Sequence, residues 1–265
     1  MKNPEQTSLK YPVILVHGIM AHDRKGIIDY WGRIPKVLRE NNVIVYLGNT
    51  DAWGSYESNA EILKNTIDNV LSETGSEKVN LIAHSKGGID SRYMIWNYNY
   101  ADKIASLTTI STPHRGAEIA DLIYSQKIIN TKIFRKSIEI YEKLHRDQNP
   151  DLYSVNYQLT TYNMEEFNKK IVMDDRVYFQ SLYTTLHSPM DDTMFYYSYK
   201  YIKKISGAND GIVSELSASW GNNIKKIGNR ISHAEIIDYK KLKIYGVNIP
   251  DIYLKIVRDL GKLGY

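Results

Sequence analysis

Residues 83–87, Ala-His-Ser-Lys-Gly, follow the apolar run Val79–Ala83 and precede a helical stretch, Gly87–Trp96. A Ser at a strand-to-helix turn, with small residues two before and two after it, has the sequence form of a nucleophile elbow. The chain must bend sharply there for Ser85 Oγ to project. Ala83 and Gly87 permit the bend, and Gly88 lets the helix approach the sheet. The helix N-terminus would offer N–H groups and a positive dipole end to a developing oxyanion. Alone the pattern is weak, because a Ser that merely caps a helix reads the same way. Acyl transfer on Ser also needs a base and a carboxylate that orients it. In this architecture they follow in the order Ser, acid, His. The seven His are at 17, 22, 84, 114, 145, 187 and 233. His84 adjoins the Ser on a strand and is expected to point away from it. His17, His22 and His114 precede any suitable acid, and His145 and His187 fall in a helical region. His233, in RISHAEIID, is therefore the expected base. Asp210, in GANDGIVS, sits in an Asn-Asp-Gly turn signal after a strand-like run and is the expected acid. Locally, Asp210 also reads as a turn residue and His233 as a packed or surface His; the correct order of all three favours the catalytic reading. His17-Gly18-Ile19 ends the first apolar run, where the N–H of Ile19 can face an oxyanion beside that of Lys86. The competing reading is an ordinary turn with Gly at positive φ.

Such residues must be held by a sheet. Short apolar runs at Val13–Val16, Val43–Leu47, Val79–Ala83 and Ile104–Ile110 alternate with amphipathic segments around Pro35–Glu40 and Glu57–Glu73. That alternation predicts βαβ units and a parallel sheet. From Gly116 to about Ile202 the chain is polar, with apolar residues at helical intervals: Ile119, Leu122 and Ile123, then Ile133, Phe134, Ile138 and Tyr141. A strand-like run, Val177–Leu182, interrupts it. The sheet pattern is expected to resume near Ile202–Ile205, and Ile249–Leu260 reads as a closing amphipathic helix. The expectation is one α/β domain over residues 1–265, with a mostly parallel central sheet flanked by helices. A helical insertion at about 117–200 follows the fourth or fifth strand. Two domains are the alternative, but no linker composition supports them.

Composition removes several classes. With 34 basic and 30 acidic residues the net charge is +4, and no basic stripe interleaves with aromatics, so nucleic acid is not an expected partner. No run approaches 18 apolar residues, so no membrane-spanning helix is expected. The absence of Cys excludes disulfides, thiolate metal sites and a Cys nucleophile.

Six ordered segments, YPVILVHGIM, DYWGRIP, VNLIAHSKGG, STPHRGAEIAD, NDGIVS and SHAEIID, resemble the motif series of the bacterial triacylglycerol lipases of the Pseudomonas and Burkholderia type. These are α/β-hydrolases. The resemblance is firm over residues 11–120 and 205–240 and loose across the insertion. It implies the α/β-hydrolase fold with a helical lid, Ser85 as nucleophile, Asp210 as acid and His233 as base. It also implies an oxyanion hole at the N–H groups of Ile19 and Lys86. No cofactor is needed for the chemistry, but the resemblance implies one structural calcium near the catalytic His loop. Its ligands would be Glu235, where the family has Asp, a second carboxylate at Asp191 or better Asp192, and the carbonyls of Tyr239 and Lys243. Oxygen donors suit a hard cation. The alternative leaves Glu235 and Asp192 as solvated surface carboxylates. No sign appears of the His- and Asp-bearing zinc insert of thermophilic relatives.

Amphipathic segments at 117–145 suit a flap whose apolar underside covers an acyl cleft and turns toward lipid on opening. Static packing that shapes the pocket walls is the alternative. The leading expectation is hydrolysis of lipid-like or water-insoluble esters through an acyl-enzyme on Ser85. The expected partners are an ester with an acyl chain and, through the lid, a lipid–water interface. Competing readings are an esterase or acyltransferase on small soluble or polymeric esters, and a non-catalytic binding protein on a hydrolase scaffold. Relatives of this type are mostly exported, yet MKNPEQTSLKYP lacks an apolar signal core. Either the protein stays inside or a leader has been removed.

Overall fold

The computed structural model describes residues 9–19, 29–126 and 147–265. The first half builds a sheet by alternation: β1 (Val13–Val16), α1 (Ile34–Glu40), β2 (Val45–Leu47), α2 (Tyr56–Thr74), β3 (Val79–His84), α3 (Lys86–Asn97) and β4 (Ile104–Ile110). Among the described residues three helices follow, α4 (Glu118–Ser125), α5 (Leu152–Gln158) and α6 (Thr161–Lys170). The sheet resumes with β5 (Tyr178–Thr185); α7 (Tyr196–Ser206), the short α8 (Glu215–Ala218) and β6 (Ile224–Asn229) come next. A two-residue antiparallel pair, β7 (Lys243–Ile244) and β8 (Val247–Asn248), leads into α9 (Ile249–Lys262). The six strands lie in the order β2-β1-β3-β4-β5-β6, and every neighbouring pair is parallel.

All four residues of β1 and all seven of β4 are buried, as a sheet covered on both faces requires. The pleat sends alternate side chains to opposite faces. Val13 and Leu15 join Trp31, Ile34, Leu38, Tyr253 and Val257 on one side. Ile14 and Val16 join Leu63, Ile67, Val70 and Met94 on the other. Each fully buried Ile or Leu contributes about 1.5–3 kcal/mol. α2 is delimited by local chemistry: the Ser55 side chain accepts the Ser58 N–H at its start, and Gly75 closes it at φ 67°.

Two expectations about the second half are corrected. Tyr178–Thr185 does more than interrupt a helical insertion: it is an interior strand of the main sheet. The excursion between β4 and β5 therefore ends before residue 178, short of 200. Ile202–Ile205 lies in α7, where Tyr199 and Ile202 are buried three residues apart, the spacing of one helix face. The final strand is instead β6, whose edge position leaves Ile224, Lys225 and Lys226 exposed and erases any apolar run. Expected helical positions Ile133, Phe134, Ile138 and Tyr141 lie outside the described residues. α4 packs against α5, α6 and α7. Where the described chain resumes, two carboxylates tie it to the loop after β2. Asp147 accepts the N–H groups of Ala52 and Trp53, and Asp51 accepts those of Gln148 and Asn149. Among the described residues no helix is long and apolar enough to cross a membrane.

Candidate active site

Ser85 joins β3 directly to α3 and has φ 54° and ψ −131°. A non-glycine residue in this sparsely populated region costs on the order of 1–3 kcal/mol and is held there by its surroundings. Ser85 N donates to Ile110 O at 3.0 Å, and Gly88 N to Ser85 O at 3.1 Å. The side chain makes no helix-capping bond, so the simple capping role does not apply. A Cβ on Gly87 would overlap the carbonyl oxygens of Val16 and His17, and one on Gly88 would overlap the Thr112 side chain. Small residues are thus required because β1 and the loop after β4 press against the elbow. Gly18 closes in from the β1 side, where a Cβ would lie 2.7 Å from Ser85 Cβ.

His233 and Asp210 complete a chain of hydrogen bonds. His233 Nε2 lies 2.9 Å from Ser85 Oγ, and His233 Nδ1 lies 2.8 Å from Asp210 Oδ2. Asp210 Oδ1 accepts the N–H groups of Ile212 (3.0 Å) and Val213 (2.8 Å), so the Asn-Asp-Gly turn fixes its carboxylate. His233 N donates to Asp210 O at 2.9 Å, which ties the two loops together. A carboxylate can only accept, so Nδ1 carries the imidazole proton and Nε2 is free to take one from the hydroxyl. Asp210 is 1 % exposed and His233 9 %, so water screens the chain weakly.

The proposed oxyanion donors flank Ser85. Lys86 opens α3, where a first-turn N–H has no partner within the helix. Its ammonium is turned into the protein and pairs at 2.6 Å with Asp90, which also accepts from Asn59. Ile19 directly follows Gly18, and its side chain packs against Ala117, Ala120, Val155 and Leu159. The His17 ring sits with Nδ1 2.7 Å from the Gly18 carbonyl and Nε2 3.1 Å from the Thr50 hydroxyl, anchoring the loop at its start.

Tyr30, part of the DYWGRIP segment, had no role assigned from sequence. Its hydroxyl accepts the Gly18 N–H at 2.8 Å and lies 2.6 Å from His84 Nδ1. The His84 ring centroid is 4.6 Å from that of His233. Burial, reinforced by the neighbouring His233, holds His84 well below the ordinary imidazole range, so it stays neutral.

A family model described as palmitoyl protein thioesterase matches residues 12–245. Triacylglycerol lipase 2 of Saccharomyces cerevisiae is 31% identical over 260 residues, covering 90% of this chain and 75% of that protein. The chain belongs to the palmitoyl protein thioesterase and triacylglycerol lipase group of the α/β-hydrolases. A triacylglycerol lipase of Pseudarthrobacter phenanthrenivorans is 40% identical over 126 residues, 46% of this chain and 38% of that enzyme. A crystallised metagenomic carboxyl esterase shares the fold with a TM-score of 0.77 at 15% identity, covering 96% of this chain and 76% of the other. As a member of this lipase group, the protein is an ester-hydrolysing enzyme.

The calcium that the lipase resemblance implies can be tested against the residues expected to hold it. Asp192 and Glu235 do meet, and both are buried instead of solvated. Ser232 links them: its Oγ donates to Asp192 Oδ2 at 2.7 Å, and its N–H donates to Glu235 Oε2 at 2.9 Å. Asp191, the other candidate, is engaged elsewhere. Although burial pushes its pKa up, the N–H groups of Ser188 and His187 and the Arg230 guanidinium hold it below the usual carboxylate range. The charge facing Asp192 and Glu235 is the Lys240 ammonium, 2.7 Å from Glu235 Oε1 and 3.7 Å from Asp192 Oδ2. Calcium needs six to eight oxygens at about 2.3–2.6 Å. Tyr239 directly precedes Lys240, and Lys243 is exposed on β7. With an ammonium already on the carboxylates, these residues do not fit a divalent ion.

Proposed function

We propose that this enzyme hydrolyses esters of lipid-like acyl chains through an acyl-enzyme on Ser85. His233 Nε2 takes the hydroxyl proton as Ser85 Oγ forms a bond to the ester carbonyl carbon. The carbonyl oxygen becomes an oxyanion that accepts hydrogen bonds from the N–H groups of Ile19 and Lys86. Asp210 stabilises the imidazolium and keeps its ring oriented. The imidazolium then protonates the leaving alkoxide oxygen as the carbon–oxygen bond breaks. Water adds to the acyl-enzyme by the same route, releasing the acid and restoring Ser85. No step requires a metal or cofactor. The observation that carries this reading is the buried Ser85–His233–Asp210 chain, with links of 2.9 and 2.8 Å.

Lipid-like substrates are supported by the names of the relatives, which describe triacylglycerol lipases. We read α4, α5 and α6 as parts of a lid at a lipid–water interface. In support, the Ile19 side chain packs on Ala117 and Ala120 at α4 and on Val155 and Leu159 at α5, so cap movement is mechanically coupled to the oxyanion loop. Residues 127–145 of the expected flap lie outside the described residues.

Ser85→Ala is expected to fold normally and to lose ester cleavage by several orders of magnitude. Undiminished turnover in that variant sinks the mechanism. A chain-length series of nitrophenyl esters, run beside emulsified triacylglycerol and a palmitoyl thioester, sets the substrate class. The lid reading expects a sharp rise in rate above substrate solubility, and a flat rate across that point removes it.

A further inference from the structure

We propose that the Lys240 ammonium is the resident cation of the catalytic His loop, doing within the chain what a bound divalent ion would otherwise do. The proposal rests on the reading of His233 as the base. Two carboxylates, Asp192 from the segment after β5 and Glu235 from the short turn after His233, are held by one residue: Ser232 Oγ donates to Asp192 Oδ2 and the Ser232 N–H to Glu235 Oε2. Ser232 immediately precedes His233, and all three groups are nearly free of solvent: Ser232 0 %, Asp192 6 % and Glu235 3 % exposed. Two carboxylates in such a place repel one another, and buried charges of this kind are paired with a cation. Lys240 supplies that cation at 2.7 and 3.7 Å.

The connectivity shows what this clamp positions. Asp192 leads into α7, which ends just before the Asp210 turn, and Glu235 lies two residues after His233. Drawing Asp192 and Glu235 together therefore draws the acid-bearing and base-bearing segments together, one turn away from the His233–Asp210 bond. Lys240 touches neither substrate nor reacting atoms and acts as a positioning residue. A cation carried on the chain cannot be chelated away.

The test uses the whole enzyme with a soluble nitrophenyl ester, scored by kcat, KM and thermal midpoint, in chelator and in millimolar calcium. Wild-type activity and midpoint are expected to be the same in both. Lys240→Ala is expected to lose about 10- to 100-fold in kcat with KM little changed, the usual consequence of removing a group that orients a catalytic one. Millimolar calcium or a small alkylammonium should restore much of that loss, because the vacated carboxylates then have a cation. Lys240→Arg, which keeps the charge, should stay closer to wild type than Lys240→Ala. The proposal is overturned if chelation inactivates the wild type and calcium revives it. It is also overturned if Lys240→Ala matches wild type in kcat, or if neither cation restores any of its loss. Should Lys240→Ala fail to fold, the chelator comparison on wild type and the Lys240→Arg kinetics still decide. A wrong base assignment shows separately, as retained turnover in His233→Ala.

Discussion

Gly18→Ala places one methyl group between the exit of β1 and the nucleophile. Its Cβ would lie 2.7 Å from Ser85 Cβ, 3.2 Å from Ser85 Oγ and 3.0 Å from the Tyr30 hydroxyl. Relaxed carbon–carbon contacts are about 3.5–4.0 Å, so the overlap with Ser85 Cβ is about 1 Å. Gly18 is not among the residues at positive φ, so the backbone accepts Ala and the whole cost is steric. A Cβ cannot be moved by changing rotamer, and the elbow holds Ser85. Relief must come from the 17–19 loop, which would move by about the overlap. That shift stretches the bond from Gly18 N to Tyr30 Oη and carries the Ile19 N–H off its target. Misplacement by about 1 Å costs on the order of 10² in rate, and losing one oxyanion donor about 10²–10³. Overpacking costs stability about 1–3 kcal/mol. We therefore expect kcat to fall about 10²-fold with KM within a few-fold of wild type, and the thermal midpoint to drop by several degrees. Initial rates on a nitrophenyl butyrate series and melting followed by circular dichroism measure both. A folded variant with kcat within threefold of wild type would refute the steric reasoning and the role given to the loop.

Other perturbations read different parts of the site. Asp210→Asn can no longer hold the Nδ1 proton with a carboxylate, and kcat should fall by about 10⁴ while the fold survives; a loss under tenfold in steady-state kinetics would contradict the orienting role. Tyr30→Phe strands the Gly18 N–H and His84 Nδ1 inside the protein, and an unpaired buried group costs about 1–3 kcal/mol. Urea titration should show that loss together with a lower kcat, and an unchanged midpoint would count against the Tyr30 bridge. His84 and His114 are buried, with pKa values depressed well below 6.5. Above pH 6.5 neither state takes up these protons, and their neutral packing contributes in full. As the pH falls below 6.5 the unfolded chain binds protons that the folded chain refuses, so stability declines by up to about 1.4 kcal/mol per pH unit for each His. Melting scans from pH 7.5 to 4.5 should show that decline, and a flat midpoint would show these imidazoles to be accessible.

Much of the framework was legible because parallel strands covered on both faces favour apolar side chains along their length. Val13–Val16 announces itself for that reason, and Ile104–Ile110 does so more weakly, because Ser106, Thr108 and Thr109 are buried among its apolar residues. β6 has one side of its pairing open to solvent, so Ile224-Lys225-Lys226 leaves no apolar signature. The run at Ile202 reads as a strand in the sequence because a short apolar cluster looks alike in a strand and on one helix face. In the site, Ser85 stood out through its small neighbours, and the order Ser-Asp-His then selected Asp210 and His233. Tyr30 and Lys240 were not legible in that way. Tyr30 meets His84 across 54 positions, and Lys240 matters only because Asp192, far earlier in the chain, folds back onto the same Ser232. No local spacing marks such meetings.

Ser85 and His233 are 148 positions apart, and His233 follows the edge strand β6. Bringing them together closes a loop of more than half the chain, an entropic toll met only when the strands between them have docked. Enzymatic turnover is thus a stricter clock of maturation than any spectroscopic signal. During refolding, helix content and burial of the inner strands should return first. Ester cleavage should appear only after the final segment, carrying residue 233, has settled into place.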